Sequence, residues 1–250
     1  NNLYKSQGLE KSYEKVILGG PDENIFNDKG KLKWDKKEKL RIVTHHWSDN
    51  WMKGFTIYKK LDRLLDKKYW KDRIEFTLIG NFPNDIKFKN TNLISPLNHE
   101  SLSEELKKHH VYITASLNEP SGNHHMEAAL TRLPIIYIES GGTVEYCKNY
   151  GVQLNESNIE ESINKVIHKY DQLWDQLQEY PYSFGYAYTQ YIDLFQSLLS
   201  KKEDFSSTRI NKSRIRVVMS LYLNKITKSA YWNLMYSKRT LGKIKRRLIN

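Results

Sequence analysis

The chain has 250 residues, of which 39% are hydrophobic, and its mean hydropathy is −0.71. This length permits one substantial core with appendages, and no apolar run reaches the roughly 18 residues that a membrane-spanning helix needs. The single cysteine, Cys147, excludes an internal disulfide and favours a reducing compartment. A cytoplasmic protein is therefore predicted.

The formal charge of +11 at pH 7 belongs to one end of the chain. Residues 201–250 contain 14 Lys or Arg and 2 Asp or Glu, a net charge of +12. Residues 1–200 contain 26 Lys or Arg and 27 Asp or Glu, a net charge of −1. The larger part has no basic excess to attract polyanions, and no nucleic-acid recognition motif accompanies the basic end. Nucleic acid is therefore not a predicted partner.

Residues 1–37 precede the regular part of the sequence. Residues 13–22 read as a short strand that runs into a Gly-Gly-Pro-Asp turn, and residues 29–39 have the polar and charged composition of a linker. We interpret residues 1–37 as the end of a missing N-terminal domain followed by an interdomain linker.

From residue 38 to residue 200, short apolar runs alternate with segments in which apolar residues recur at helical spacing. Such alternation is typical of a parallel sheet covered by helices on both faces, a Rossmann-like α/β fold with ligands at the carboxyl ends of the strands. The predicted strands are residues 40–44, 74–79, 92–95, 111–114, 135–138 and 152–154. The predicted helices are residues 56–65, 101–109 with a Ser101-x-x-Glu104 capping box, one ending before Pro134, one from residue 143, 159–179 and 182–199.

Two carboxylates, Glu119 and Glu127, lie eight positions apart across a Pro-Ser-Gly-Asn turn that follows the strand at residues 111–114. Gly122 and Asn123 would open the next helix with unpaired backbone N–H groups, which favour an anion or a hydroxyl-rich ligand. An ionised carboxylate only accepts hydrogen bonds and can take both hydroxyls of a vicinal diol. The motif therefore predicts a site for a sugar or a ribose.

Five stretches, in chain order over residues 13–200, resemble the nucleotide-binding half of the family 4-type retaining glycosyltransferases, which have the GT-B fold. The similarity is to the C-terminal domain of that family, and its strength lies in the order and spacing of the stretches. They are Gly19-Gly20-Pro21-Asp22 through Phe26 (interdomain crossing), Met52-Lys53-Gly54 (Lys-Gly phosphate loop), Leu78-Ile79-Gly80 (strand ending in Gly), Glu119 through Glu127-Ala128 (E-x7-E signature) and Gly141-Gly142-Thr143-Val144-Glu145 (Gly-Gly-Thr-x-Glu loop).

The resemblance implies a retaining enzyme that transfers a hexose-type unit from a nucleotide-diphosphate sugar, such as a UDP- or GDP-sugar, to a glycan or lipid-linked acceptor. It implies no metal ion and no cofactor besides the donor, and it assigns the acceptor to the missing N-terminal domain. Glu119 is the implied catalytic residue beside the hydroxyls of the transferred sugar, Lys53 pairs with the diphosphate, and Glu127 binds the ribose diol. The implied donor-binding residues are Lys53, Gly54, Ser121, Gly122, Asn123 and Glu127.

The chain departs from the family pattern in three places. An Arg that is usual a few residues before the Lys-Gly pair is missing, and residues 45–49 occupy that region. Leu133 stands where a Gly normally precedes the proline, and Ser121 replaces a common aromatic residue.

Histidine pairs at residues 45–46, 109–110 and 124–125 raise the alternative of a metal site. Neighbouring residues of a helix point in different directions, whereas paired metal ligands need i, i+4 spacing. No metal site is predicted.

Residues 201–250 are predicted to form a basic amphipathic helical tail, because apolar residues recur at helical spacing among Lys and Arg. Such a tail lies on an anionic membrane or covers an apolar surface of its own protein. In the first case residues 209–250 would attach the protein peripherally to the inner face of a membrane. Two alternatives to the enzyme stay open: a non-catalytic nucleotide-sugar or carbohydrate-binding protein, and a membrane-surface adaptor that uses the tail.

Overall fold

A computed structural model of the chain describes residues 15–200. The chain divides into two compact units between Ile192 and Asp193. Residues 15–192 belong to the first unit, and residues 193–200 of the second unit are the end of the last helix within the described residues. The predicted basic tail, residues 201–250, lies outside the described residues.

Within residues 15–200, six parallel strands form one sheet in the order β3-β2-β1-β4-β5-β6, which is the order of the Rossmann fold. The chain changes direction across the sheet between β1 and β4, which pair with Ile42 opposite Val111. The prediction of a Rossmann-like parallel sheet is confirmed. The strands are β1 Leu40–His46, β2 Ile74–Gly80, β3 Asn92–Ile94, β4 Val111–Thr114, β5 Ile135–Tyr137 and β6 Gly151–Gln153.

Helices connect the strands and cover both faces of the sheet. None of the helices described within residues 15–200 combines the length and the apolar character needed to cross a membrane. The helices are α1 Phe55–Leu64, α2 Lys68–Lys71, α3 His99–Lys107, α4 Asn123–Leu130, α5 Thr143–Cys147, α6 Ile159–Gln176 and α7 Phe184–Ser200, with short 3-10 turns at Trp51–Lys53 and Leu177–Glu179.

The central strands are apolar on both faces because each face carries its own core. Successive side chains of a strand point to opposite sides of the sheet. Val111 and Ile113 therefore pack in one core with residues of α1 and α6, whereas Tyr112 packs in the other with residues of α3 and α4. This two-sided burial explains the uninterrupted apolar run from which β4 was predicted.

The predicted start of α3 is wrong by two residues, and α2 was not predicted. The N-cap of α3 is Asn98, whose side-chain oxygen accepts a hydrogen bond from the N–H of Ser101 at 2.8 Å. Since this cap already serves the first turn, the helix begins at His99 rather than at the predicted capping box. The four residues of α2 are too few to show a helical period, although its Trp70 is buried.

The predicted strand at residues 13–22 does not form in its described part, residues 15–22. The carbonyl of Pro21 accepts a hydrogen bond from the N–H of Phe184 at 2.8 Å, so this segment runs against the start of α7 instead of joining the sheet. The predicted linker that follows is anchored at Trp34, which is buried and donates its backbone N–H to the Tyr170 hydroxyl at 3.2 Å.

Candidate functional site

The candidate site lies at the carboxyl edge of the sheet, where β1 and β4 end side by side. The loop after β1 runs into the 3-10 turn Trp51–Lys53, and the loop after β4 leads to α4. A backbone hydrogen bond of 2.7 Å from Leu117 N–H to Met52 O joins the two loops. Ligands of open α/β sheets bind at such a change of direction, so the loops are in the expected place.

Gly54 allows the two loops to approach each other. Its φ is +79°, in the left-handed region, and it forms the N-cap of α1. A Cβ at this position would lie 2.2 Å from the carbonyl oxygen of Ala115, which is far closer than atoms can pack. The Lys-Gly pair therefore needs its glycine because the chain passes directly over the β4 loop, and this contact fixes the position of Lys53.

Lys53 and Glu119, predicted from two separate motifs, meet in an ion pair. The Nζ atom of Lys53 lies 2.7 Å from Oε2 of Glu119, and the side chains are 24% and 14% exposed. Solvent therefore reaches both groups from the open side of the site. The pair presents a cation and a carboxylate together at the edge of the sheet, so a ligand can contact both at once.

The backbone around Glu119 is held by the loop that follows β5. The N–H of Gly142 donates to the carbonyl oxygen of Glu119 at 2.7 Å. Gly141 has a φ of +64°, and a Cβ there would lie 2.4 Å from the same carbonyl oxygen. The Gly-Gly-Thr-x-Glu stretch therefore supports the backbone of Glu119, the first carboxylate of the signature.

The predicted residues between the two carboxylates form the entrance to α4. Gly122 is the N-cap, with no side-chain capping bond, and Asn123 is the first residue of the helix. The hydroxyls of Ser121 and Tyr146 are hydrogen-bonded at 3.1 Å. The first backbone N–H groups of α4 therefore lack a side-chain cap from Gly122 and lie next to Glu119, an arrangement suited to an anion or a hydroxyl.

Glu127 lies one helical turn inside α4 and is only 5% exposed. Its Oε2 atom is 2.7 Å from Nε2 of His45, a residue of β1 that is also buried. Glu127 is therefore not one of the solvated carboxylates that most helix surfaces carry. His45 was not predicted as part of the site, because 82 residues separate it from Glu127 and only the β1–β4 pairing brings them together.

Two of the three histidine pairs line this edge of the sheet, and all four rings are buried. Burial, with the neighbouring histidines and Lys53, lowers the pKa of His46 and His124 well below its usual range and that of His125 to about 3. The rings of His46, His124 and His125 are therefore neutral at pH 7 and contribute packing and hydrogen bonds, such as the 2.8 Å bond between His46 Nε2 and the Tyr58 hydroxyl.

The third pair, His109 and His110, lies at the amino end of β4, on the opposite edge of the sheet. Desolvation lowers the pKa of each ring to about 4. Across residues 15–200, no group of three or more His, Cys, Asp or Glu side chains is arranged to hold a metal ion.

A narrow pocket opens beside the His45–Glu127 pair. Its walls come from the ends of β1 and β2 and from the segment between β3 and α3. It shares His45 with the buried pair, and Trp47, at 53% exposure, forms part of its rim. The lining residues are His45, His46, Trp47, Ile79, Gly80, Pro96, Leu97 and Leu102.

Comparison with known proteins adds a fold relationship. No protein-family model matches the sequence, and no curated protein matches it either. A glycosyltransferase from Rickettsia africae ESF-5 matches the structure with a TM-score of 0.60 and 13% identity, over 79% of this chain and 60% of that chain. The fold is that of one half of a GT-B glycosyltransferase.

Other solved GT-B structures agree. Sucrose-phosphate synthase from Thermosynechococcus elongatus matches with a TM-score of 0.57 and 14% identity, over 80% of this chain and 56% of that chain. The Anabaena protein HepE, solved in complex with UDP and glucose, matches with a TM-score of 0.57 and 15% identity, over 79% of this chain and 60% of that chain. The chain thus spans 56% to 60% of the length of these GT-B proteins, and identities this low establish the fold alone.

Proposed function

We propose that this domain is the donor-binding half of a family 4-type retaining glycosyltransferase. It would bind a nucleotide-diphosphate sugar, such as a UDP- or GDP-sugar, and support transfer of a hexose-type unit to a glycan or lipid-linked acceptor. The observation that carries the proposal is the 2.7 Å pair between Lys53 and Glu119. Two residues assigned to the diphosphate and to the sugar from separate motifs are 66 positions apart and meet at the ligand-binding edge of the sheet.

The ion pair between Lys53 and Glu119 is compatible with binding of such a donor, because each side chain can replace its partner with a group of the ligand. The diphosphate brings negative charge to Lys53, whose ammonium then exchanges a carboxylate oxygen for phosphate oxygens. Glu119 becomes free to accept hydrogen bonds from hydroxyls of the transferred sugar, and the first N–H groups of α4 add donors beside it. In this role Glu119 would orient the transferred sugar, so that its anomeric carbon is held in the geometry needed for reaction.

Glu127 is the proposed ligand of the ribose diol. Its buried carboxylate is an acceptor in a site with little water, where a hydrogen bond to a charged group contributes about 1.5 to 3 kcal/mol. The exposed ring of Trp47, at the rim of the narrow pocket beside this residue, would provide an apolar surface on which the flat base could stack.

The acceptor is assigned to a second domain. Transfer requires the acceptor oxygen to be held beside the anomeric carbon, and residues 15–192 form one half of the GT-B architecture. The non-catalytic alternative, a nucleotide-sugar-binding protein, would use the same site without an acceptor.

A thermal-shift screen against UDP, GDP, ADP and their sugars tests donor binding directly. A ligand that binds only the folded state stabilises it by about 2.7 kcal/mol at 100 times its Kd, so the correct nucleotide should raise the melting temperature. Glu127→Ala should reduce the shift with little loss of fold, because it removes one acceptor for the ribose diol. The proposal fails if none of these nucleotides, at millimolar concentration, changes the melting temperature or gives heat in a calorimetric titration.

A further inference from the structure

Glu127 has a specific buried partner, His45, which the proposed donor site does not yet use. The two residues come from different elements, the end of β1 and the second turn of α4. Their side chains are 3% and 7% exposed, and the Nε2 to Oε2 distance is 2.7 Å. A carboxylate only accepts hydrogen bonds, so Nε2 of His45 carries the proton and donates it.

The ring of His45 is held in place from several sides. Its backbone N–H donates to the Tyr112 hydroxyl at 3.2 Å, and its ring packs edge-on against the rings of Tyr112 and His124 at 5.4 Å and 6.2 Å between centroids. Its other nitrogen, Nδ1, is buried and has no hydrogen-bond partner among the described residues. No competing bond within this part of the chain therefore turns the ring away from Glu127.

The bond fixes one oxygen of Glu127 and leaves the other for a ligand. Within residues 15–200, Oε1 of Glu127 accepts no hydrogen bond. This oxygen is also not among the fully buried polar atoms that lack a partner. A glutamate side chain rotates about its last bond unless something holds one oxygen. His45 supplies that restraint, so Oε1 keeps a constant direction.

We infer that His45 is the positioning residue that aims the Glu127 carboxylate at a ribose diol, and that it thereby makes the site select ribonucleotides over 2′-deoxyribonucleotides. The inference rests on the proposed function, since it concerns the ribose of the same donor. His45 does not touch the ligand through this bond; it acts through Glu127.

A structural role would have a different signature. If the bond merely attached α4 to the sheet, its loss would lower the melting temperature and weaken all ligands by the same factor. If it positions Glu127, its loss should reduce the preference for the ribose and leave binding of the remaining parts of the nucleotide. The ratio of two affinities in one variant separates these cases.

The test measures Kd by calorimetry for UDP and 2′-deoxy-UDP, with GDP and 2′-deoxy-GDP in parallel. His45→Phe removes the donor and keeps a ring of similar size, whereas His45→Gln keeps a donor at similar reach. The wild type should prefer the ribonucleotide by about tenfold or more, the value of one hydrogen bond to a charged group. H45F should bring the ratio close to one, and H45Q should restore most of it.

Further variants serve as controls for this interpretation. His109→Phe replaces another buried histidine, on the opposite edge of the sheet, and should leave the ratio unchanged. Glu127→Gln should lower the ratio by itself, and adding H45F to it should lower the ratio no further, because both changes act on one contact. If H45F does not fold, His45→Asn takes its place, because the Asn amide is too short to reach Oε2 of Glu127. H45N should then lose the preference for the ribonucleotide that H45Q keeps.

The possible failures are distinguishable. A wild-type protein that binds none of these nucleotides refutes the proposed function and this inference with it. A wild type that binds and discriminates, together with an H45F variant that keeps the same ratio, refutes the role of His45 alone. Equal weakening of ribonucleotide and deoxyribonucleotide in H45F, with a lower melting temperature, assigns His45 a structural role and also overturns the inference.

Discussion

Substitution of Lys53 by Ala should separate ligand binding from fold stability. The ion pair that it removes has side chains 24% and 14% exposed, so water can solvate the carboxylate of Glu119 after the change. Ion pairs that water reaches contribute about 0 to 1 kcal/mol to stability. The free energy of unfolding of K53A, measured by urea titration, should therefore fall by no more than about 1 kcal/mol.

The loss of diphosphate affinity should be larger. A hydrogen bond between a charged donor and a charged acceptor contributes about 1.5 to 3 kcal/mol, which corresponds to a rise in Kd of about 10- to 150-fold. Calorimetry with UDP measures this loss. Uridine, which has the base and ribose but no phosphate, should bind K53A and the wild type equally when followed by ligand-observed NMR.

Lys89→Ala is the matched control for Lys53→Ala. Lys89 forms an ion pair of the same length, 2.7 Å, with Asp66, in the loop that precedes β3 at the other edge of the sheet. Its removal should change neither UDP nor uridine binding. The role of Lys53 is refuted if K53A binds UDP as tightly as the wild type, and equal losses for UDP and uridine would instead indicate a damaged site.

Three other substitutions test the site and its scaffold. Glu119→Ala should weaken UDP-glucose or another bound sugar nucleotide about tenfold while UDP itself binds as before, since only the sugar hydroxyls lose an acceptor; equal losses in calorimetry would remove Glu119 from the sugar site. Gly54→Ala should cost about 1 to 3 kcal/mol more in urea titration than Gly30→Ala, because both glycines have φ near +78° but only the Cβ at residue 54 meets a carbonyl, at 2.2 Å; equal costs would contradict the contact. Asp62→Asn should cost about 1 to 3 kcal/mol at pH 7, because this buried carboxylate accepts hydrogen bonds from the N–H groups of residues 89–91 and forms an ion pair with Lys59. Burial alone would raise the pKa of Asp62, but the hydrogen bonds from Lys59 and residues 89–91 outweigh burial and lower the pKa. The stabilisation by the Asp62 carboxylate is therefore complete above the ordinary pKa of 3.8 and is lost as the pH falls below that value. A stability difference between D62N and wild type that stays constant down to pH 2 would contradict this pH dependence.

The layered fold was predictable because its signal is local. The central strands of the sheet contain short apolar runs, and each long helix carries apolar residues at helical spacing, so the alternation is visible without long-range information. The order of the strands is a long-range property, and the sequence pattern alone does not specify it. Errors arose where one side chain decides the outcome, as when Asn98 caps α3 ahead of the predicted start.

The candidate site was predictable in part. Lys53, Gly54, Glu119 and Glu127 are in motifs with glycine or proline neighbours, and the structure places the first three together in the loops after β1 and β4. His45 was missed because its partner is distant in sequence, and adjacent histidines on a strand look the same whether they line a site or a core. A useful signal was present nonetheless, since polar residues at the end of a buried central strand indicate the ligand edge of the sheet.

The ion pair between Lys53 and Glu119 also bears on which molecules can compete for the proposed site. Inorganic phosphate that displaces Glu119 from Lys53 brings a second anion beside the carboxylate, whereas a free sugar that displaces Lys53 leaves the ammonium without its counter-charge. A molecule that carries phosphate and hydroxyls in one covalent frame replaces both halves of the pair in a single event. The pair would therefore disfavour free inorganic phosphate and free sugar relative to the intact sugar nucleotide, which offers a partner to both side chains.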